Sequence, residues 1–320
     1  MIKVFSLVCC RILLSLVCLV AISARAAGCN GPGLQLQVLG SGGPELGDGR
    51  ASSGYLVWLD GHARVLVDMG SGSLLRFEQG GARIEDPDVV LFSHFHVDHS
   101  ADFPALVKAS YFSGRKRDLP VFGPTGNATM PGTDAFVRAL FAGPQGAFRY
   151  LNGYLNGEES YRIRPHEVSA DDRAKKAVWN RNGLQLVAVP VHHGPIPALA
   201  WRVEISGHVL VFSGDMNGDY HTLPGLAKGA DLLVAHNAVP EGATGAARNL
   251  HMPPSVIGRI AGEADVKFLV LSHFMRRTLG REIGSEREIR KYYHGPLAFA
   301  DDGACFAPWG SGDLGVSDQP

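Results

Sequence analysis

The chain of 320 residues has almost no net charge: 30 Lys and Arg stand against 31 Asp and Glu, leaving −1, and neither sign forms a block. That excludes a basic field able to gather nucleic acid, so none is expected as a partner, and it excludes an acidic tail. Cysteine is scarce too, five in all, with Cys9, Cys10 and Cys18 falling before residue 20. The amino-terminal apolar run, Ile12 to Ile22, is shorter than the roughly 20 residues a spanning helix needs, which argues against stable membrane insertion. No fixed-period repeat and no low-complexity tract is present. What is there is 45% hydrophobic and 19% charged residues, enough for a large core in one α/β domain or two closely packed halves and too apolar for a disordered chain.

Lys3 and Arg11 precede the apolar run and Ala24-Arg25-Ala26 follows it, the pattern of an export signal cleaved after Ala26. Residues 27–320 are then the expected mature domain, periplasmic or secreted. Cleavage would leave Cys29 and Cys305, expected to form one disulfide in an oxidising compartment, with lipidation of Cys29 as the alternative.

Short apolar runs rich in β-branched residues predict strands at Leu34–Leu39, Tyr55–Leu59, Arg64–Val67, Val89–Phe92, Leu184–Val191, Leu199–Ile205, Val209–Phe212, Leu232–Val234 and Phe268–Leu271. Helical patterns appear near Ala105–Ser110, Asp134–Phe141, Pro254–Ala261 and Ser285–Tyr293. The mixture indicates two sheets flanked by helices. Ser113 to Asn182 has weaker strand signals and many glycines, and reads either as an insert or lid near the site or as a crossover between two halves.

The densest chemistry is His94-Phe95-His96-Val97-Asp98-His99, three imidazoles and a carboxylate directly after a predicted strand. Such a set suits zinc or a similar divalent ion, and is more than one tetrahedral ion takes from one short loop, so two ions are expected. His193, Asp215 and His273 also follow predicted strands, where loops can converge on one rim.

Taken in order, Asp68-Met69-Gly70, the His94 to His99 run, Val191-His192-His193, Ser213-Gly214-Asp215 and Leu271-Ser272-His273-Phe274 resemble the metallo-β-lactamase fold over most of the mature chain. The resemblance is strongest to the branch of tRNase Z, metal-dependent arylsulfatases and periplasmic cyclic-nucleotide phosphodiesterases. It implies a four-layer αββα sandwich with the site along one edge. By position, His94, His96 and His193 would hold one ion and Asp98, His99 and His273 the other, with Asp215 bridging; the adjacent His192 is the alternative to His193. Two divalent ions, zinc or manganese, are the implied cofactors. Asp68 would support the ligand loop.

Two such ions about 3.5–4 Å apart can share a hydroxide and clamp a developing anion. The resemblance makes Asp98 and His251 the catalytic candidates. His251, in Asn249-Leu250-His251-Met252-Pro253-Pro254, would be the proton donor, yet the glutamate that partners it in the family is replaced by His236. One lactamase subclass uses cysteine at the bridging place; aspartate stands there in this chain. The first expectation is hydrolysis of a small anionic ester, phosphodiester or sulfate; the second is a lactone or carboxylic ester; a third is a metal binder without activity, against which the complete ligand set counts. Related folds often dimerise, which leaves a homodimer open, but the sequence does not give the oligomeric state.

Overall fold

The computed structural model describes Cys29 and residues 31–308; the export signal read at residues 1–26 lies outside the described residues. The strands are β1 (Leu34–Gly40), β2 (Gly54–Leu59), β3 (His62–Met69), β4 (Val89–Leu91), β5 (Leu119–Pro124), β6 (Ile163–Val168), β7 (Lys176–Arg181), β8 (Leu184–His193), β9 (Ile196–Ile205), β10 (His208–Phe212), β11 (Leu232–His236), β12 (Leu269–Ser272), β13 (Leu297–Phe299) and β14 (Cys305–Phe306). They form two seven-stranded sheets, ordered β14-β1-β2-β3-β4-β5-β6 and β13-β12-β11-β10-β9-β8-β7.

Both sheets follow one plan, antiparallel on one side and parallel on the other, with the change at β3 in the first and β10 in the second. The parallel strands β3, β4, β10, β11 and β12 read as nearly unbroken apolar runs because both of their faces are covered. One core lies between the sheets, where Val38, Tyr55 and Val57 meet Leu186, Trp201 and Phe212. A second lies between the second sheet and the helices Leu223–Ala227 and Pro254–Glu263, and a third between the first sheet and the helices Phe103–Ser110 and Thr133–Phe141. This is the αββα sandwich that the motifs imply.

Residues 113–182, where the sequence leaves a lid and a crossover open, supply β5 and β6 to the first sheet and β7 to the second. These strands escape the sequence pattern. Leu119-Pro-Val-Phe-Gly-Pro124 carries two prolines and a glycine, and Lys176-Ala-Val-Trp-Asn-Arg181 is a half-exposed edge strand with polar ends. Tertiary pairing overrides such weak local preference.

Cys29 and Cys305 are joined by a disulfide, with Cα atoms 5.6 Å apart. It pins the first described residue beside β14, which pairs with β1 at Leu36 and Gln37.

Candidate metal centre

The site forms where parallel strands end, the edge at which α/β sheets present their loops. β4 leads into His94–His99, β10 into Asp215 and β12 into His273, while β8 and β11 end on His193 and His236. Alternation along β8 sends the neighbouring histidines to opposite sides, because successive side chains of a strand face opposite ways. His193 turns inward and is buried, while His192 lies half-buried with its ring against Tyr220, centroids 5.1 Å apart.

All seven residues named as ligands come together. His94 Nε2 lies 2.9 Å from His96 Nδ1, His193 Nε2 lies 3.3 Å from the same nitrogen, and Asp215 Oδ2 is 3.6 Å from His193 Nε2. On the other side, His99 Nε2 lies 3.3 Å from His273 Nε2 and 3.5 Å from Asp215 Oδ2, and Asp98 Oδ2 is 3.2 Å from His273 Nε2. Two groups have ligating atoms all within 4.8 Å of one another: His94, His96, His193 and Asp215, and then His99, Asp215, His236 and His273. Asp215 belongs to both, as a bridging residue must. His236, rather than Asp98, completes the second of these groups, and the sequence had placed it only as a neighbour of His251.

The donor set fits divalent cations for a reason visible in its hydrogen bonds. His99 Nδ1 lies 2.8 Å from Asp68 Oδ2, and His193 Nδ1 lies 2.9 Å from the carbonyl of Leu250. Both acceptors take the proton of Nδ1, which turns Nε2 of each ring toward Asp215 Oδ2, and in His193, which burial keeps neutral, that nitrogen presents a lone pair. A lone pair facing a carboxylate is repelled unless positive charge lies between them. Asp68 also accepts from the backbone N–H and hydroxyl of Ser93, at 2.7 and 2.8 Å, so it braces the ligand loop as the first motif implies. Gly70 of that motif is required sterically: a Cβ there would lie 2.1 Å from the carbonyl oxygen of Asp98. His273 adopts a left-handed backbone, φ +57°, a strained conformation that functional sites tend to retain.

Electrostatics at the site follows burial and mutual proximity. Burial pushes His94 well below its ordinary pKa, and His99 and His193 add to the effect. Burial opposes charge on His99 as well, but Asp98, Asp68 and Asp215 outweigh it and hold that ring well above the usual value. Asp98 is raised by burial, yet His99 and His273 bring it down to about 2. For Asp215, burial is overcome by His273, His251 and His99, which carry it well below the carboxylate range. Opposite charges packed this closely favour charged carboxylates at neutral pH.

The cluster borders a cavity of about 290 Å³, lined by His96, Asp98, His193, Asp215, His251 and His273 together with Pro44, Ala246, Ala247, Leu250, Met275 and Arg277. His251 is 7% exposed, and its Nδ1 has no hydrogen-bond partner and sits 3.8 Å from Asp215 Oδ1. Ala246, Ala247 and Leu250 come from the helix Gly245–Leu250, whose short Gly-Ala-Ala-Arg-Asn-Leu sequence shows no periodic signal. Arg277, in the loop after β12, matches none of the quoted motifs and becomes visible only as a wall of this cavity.

Residues 63–274 match the model of the beta-lactamase superfamily domain. The chain is 29% identical over 253 residues to a ribonuclease Z of Mycobacterium sp. (strain KMS), spanning 76% of this chain and 84% of that protein. In structure it is similar to the metallo-beta-lactamase fold protein YhfI from Bacillus subtilis, with a TM-score of 0.65 at 22% identity over 85% of this chain and 98% of that one. It is also similar to the short form of human tRNase Z, with a TM-score of 0.64 at 19% identity over 86% of this chain and 99% of that one.

Proposed function

The chain belongs to the beta-lactamase superfamily, and from that membership we propose that this metal-dependent ester hydrolase acts on a small anionic ester, a phosphodiester before a sulfate ester. One observation carries the choice of an anion. Arg277 borders the cavity over the ligand cluster and forms no ion pair among the described residues; its Nε donates to the carbonyl of Ala238 at 2.6 Å, and one terminal nitrogen lies 2.9 Å from Met275 Sδ. A guanidinium held this way suits the paired oxygens of phosphate or sulfate. The relatives named ribonuclease Z put the phosphodiester first.

When bound, a pair of divalent cations supplies a water acidic enough to attack near neutral pH and withdraws charge from the transition state. Zinc is the proposed ion, since imidazole dominates the donor set, with manganese, which prefers oxygen, as the alternative. Asp215 keeps the two halves of the cluster in one frame, Arg277 orients the ester anion, and His251 protonates the leaving oxygen. The near-neutral chain and the small cavity support a small ester over a tRNA precursor.

A second reading has its own support: Pro44, Ala246, Ala247, Leu250 and Met275 make an apolar wall that would also receive a neutral lactone or carboxylic ester. A panel of bis-nitrophenyl phosphate, nitrophenyl sulfate, a homoserine lactone, a cephalosporin and a tRNA precursor separates them. The phosphodiester is expected to turn over fastest, with Arg277→Ala lowering its kcat/KM about 10- to 100-fold, the worth of a charge-assisted hydrogen bond, and leaving lactone turnover nearly untouched. Fast turnover of the lactone alone, or of the tRNA precursor alone, would overturn this choice.

Export is proposed as well, supported by the charged, apolar and small-residue pattern of residues 1–26 and by the Cys29–Cys305 bridge, since disulfides persist in oxidising compartments. Protein recovered from a bacterial host should begin at Ala27 and have both remaining thiols blocked. Reduction should then lower Tm by about 5–15 °C, from ~2–5 kcal/mol of chain-entropy stabilisation. Protein that begins at Met1, or a Tm indifferent to reductant, would count against it.

A further inference from the structure

We infer that His236 is the positioning residue of the bridging carboxylate, fixing one oxygen of Asp215 so that the other stays among His94, His99 and His193. The inference rests on the reading of the site as a two-cation centre and concerns how this chain keeps that centre in shape.

His236 closes β11 with 2% of its surface exposed. Its Nδ1 lies 2.8 Å from Asp215 Oδ1, and its Nε2 lies 3.0 Å from the hydroxyl of Tyr55, which is also 3.0 Å from Ser272 Oγ. An ionised carboxylate only accepts, so Nδ1 carries the proton. The ring is further held flat against His273, centroids 4.7 Å apart and planes 23° from parallel. Tyr55 stands on β2 of the opposite sheet, so the chain Asp215–His236–Tyr55 runs across the sandwich and ties the site to the packed core.

The two oxygens of Asp215 are thereby given different work. Oδ1 is engaged by His236 and also lies 3.3 Å from His273 Nε2, while Oδ2 lies 3.5 Å from His99 Nε2, 3.6 Å from His193 Nε2 and 4.0 Å from His94 Nε2. His99 and His193 have positioning partners of their own in Asp68 and the Leu250 carbonyl. Asp215 is shared by both halves of the cluster, so a rotation of its carboxylate disturbs both, and His236 is the group that opposes it. Both nitrogens of His236 are committed, to Asp215 and to Tyr55, which separates it from the inward-facing ligands although it lies among them. The imidazole at this place therefore braces the bridging aspartate and leaves His251 Nδ1 without a partner.

Asparagine and glutamine divide the two functions, since the Asn amide occupies the place of Nδ1 and the Gln amide that of Nε2. Cobalt(II) loaded into wild type, His236→Asn, His236→Gln and Tyr55→Phe is read by bound metal per chain and by its visible d–d absorption, with circular dichroism as the folding control. His236→Asn should keep two cobalt ions and the wild-type spectrum. His236→Gln should bind cobalt about 10- to 100-fold more weakly, the usual cost of losing a group that orients a ligand, and Tyr55→Phe should fall between. Equal loss in the Asn and Gln variants would make His236 a ligand and overturn the inference, as would two ions with an unchanged spectrum in both. Wild type binding fewer than two cobalt ions would instead remove the two-cation reading beneath it. No step of the test depends on the substrate.

Discussion

Asp215→Ala is expected to leave the protein folded with less than one metal ion per chain and ester turnover lowered on the order of 10³-fold or more. The side chain is 2% exposed, and four imidazoles, those of His99, His193, His236 and His273, lie within 3.6 Å of its oxygens. In the proposed two-cation centre, alanine would leave those imidazoles without the anion that balances the charge, so both positions should weaken together. The transition-state stabilisation a metal pair supplies is several kcal/mol, and each ~1.4 kcal/mol is tenfold in rate. Asp215→Asn keeps the shape and the contact with His236 but removes the charge, and should bind metal better than alanine while remaining nearly inactive. Elemental analysis of the purified variants and initial rates on bis-nitrophenyl phosphate check both. Unchanged metal content and rate in the alanine variant would show that Asp215 does not bridge.

His251→Ala should keep both metals and divide substrates by leaving group. For an alkyl phosphodiester the rate should fall about 10²- to 10⁴-fold, the worth of a general acid, whereas nitrophenolate leaves without a proton and its ester should be hydrolysed at close to the wild-type rate. The geometry behind this is a ring that lines the cavity together with Arg277, its buried Nδ1 free of hydrogen bonds and 3.8 Å from Asp215 Oδ1. Burial pushes the imidazole down to about 3, with Asp215 opposing and His273 and His193 adding to the depression. In the free site the ring is therefore neutral at pH 7. An ester anion seated in the cavity beside Arg277 would bring negative charge next to this ring and favour its protonated form. Loss of the same size for both leaving groups would make His251 a binding residue and remove it from proton transfer.

The histidine-rich loop was legible because its residue types have few structural uses at that spacing, and His193, Asp215 and His273 because each follows an apolar strand. The predicted strands from Leu34 to Phe92 and from Leu184 to Leu271 agree with β1–β4 and β8–β12 to within a few residues at their ends. Strands β5, β6 and β7 did not show, since proline, glycine and edge polarity hide a periodicity that only pairing with neighbours restores. His236 was seen at the place of a glutamate, but nothing in Leu232-Leu-Val-Ala-His236 tells which way its ring turns. Arg277 carries no signal, because arginine in a loop, here directly after Arg276, is ordinary surface.

By itself the sequence determined the chemistry available, a set of imidazoles and carboxylates, and the two-sheet sandwich whose strand ends carry them, because residue type and apolar periodicity are local properties. Only the tertiary structure decided which groups meet: that Asp68 braces His99, that His236 turns to Asp215 and leaves His251 unpartnered, and that Arg277 overlooks the cluster. Asp68 and His99 are 31 positions apart, Asp215 and His236 21, and His236 reaches on to Tyr55 across 181; distances of that kind are set by the packing of two sheets against each other, which no stretch of chain contains alone.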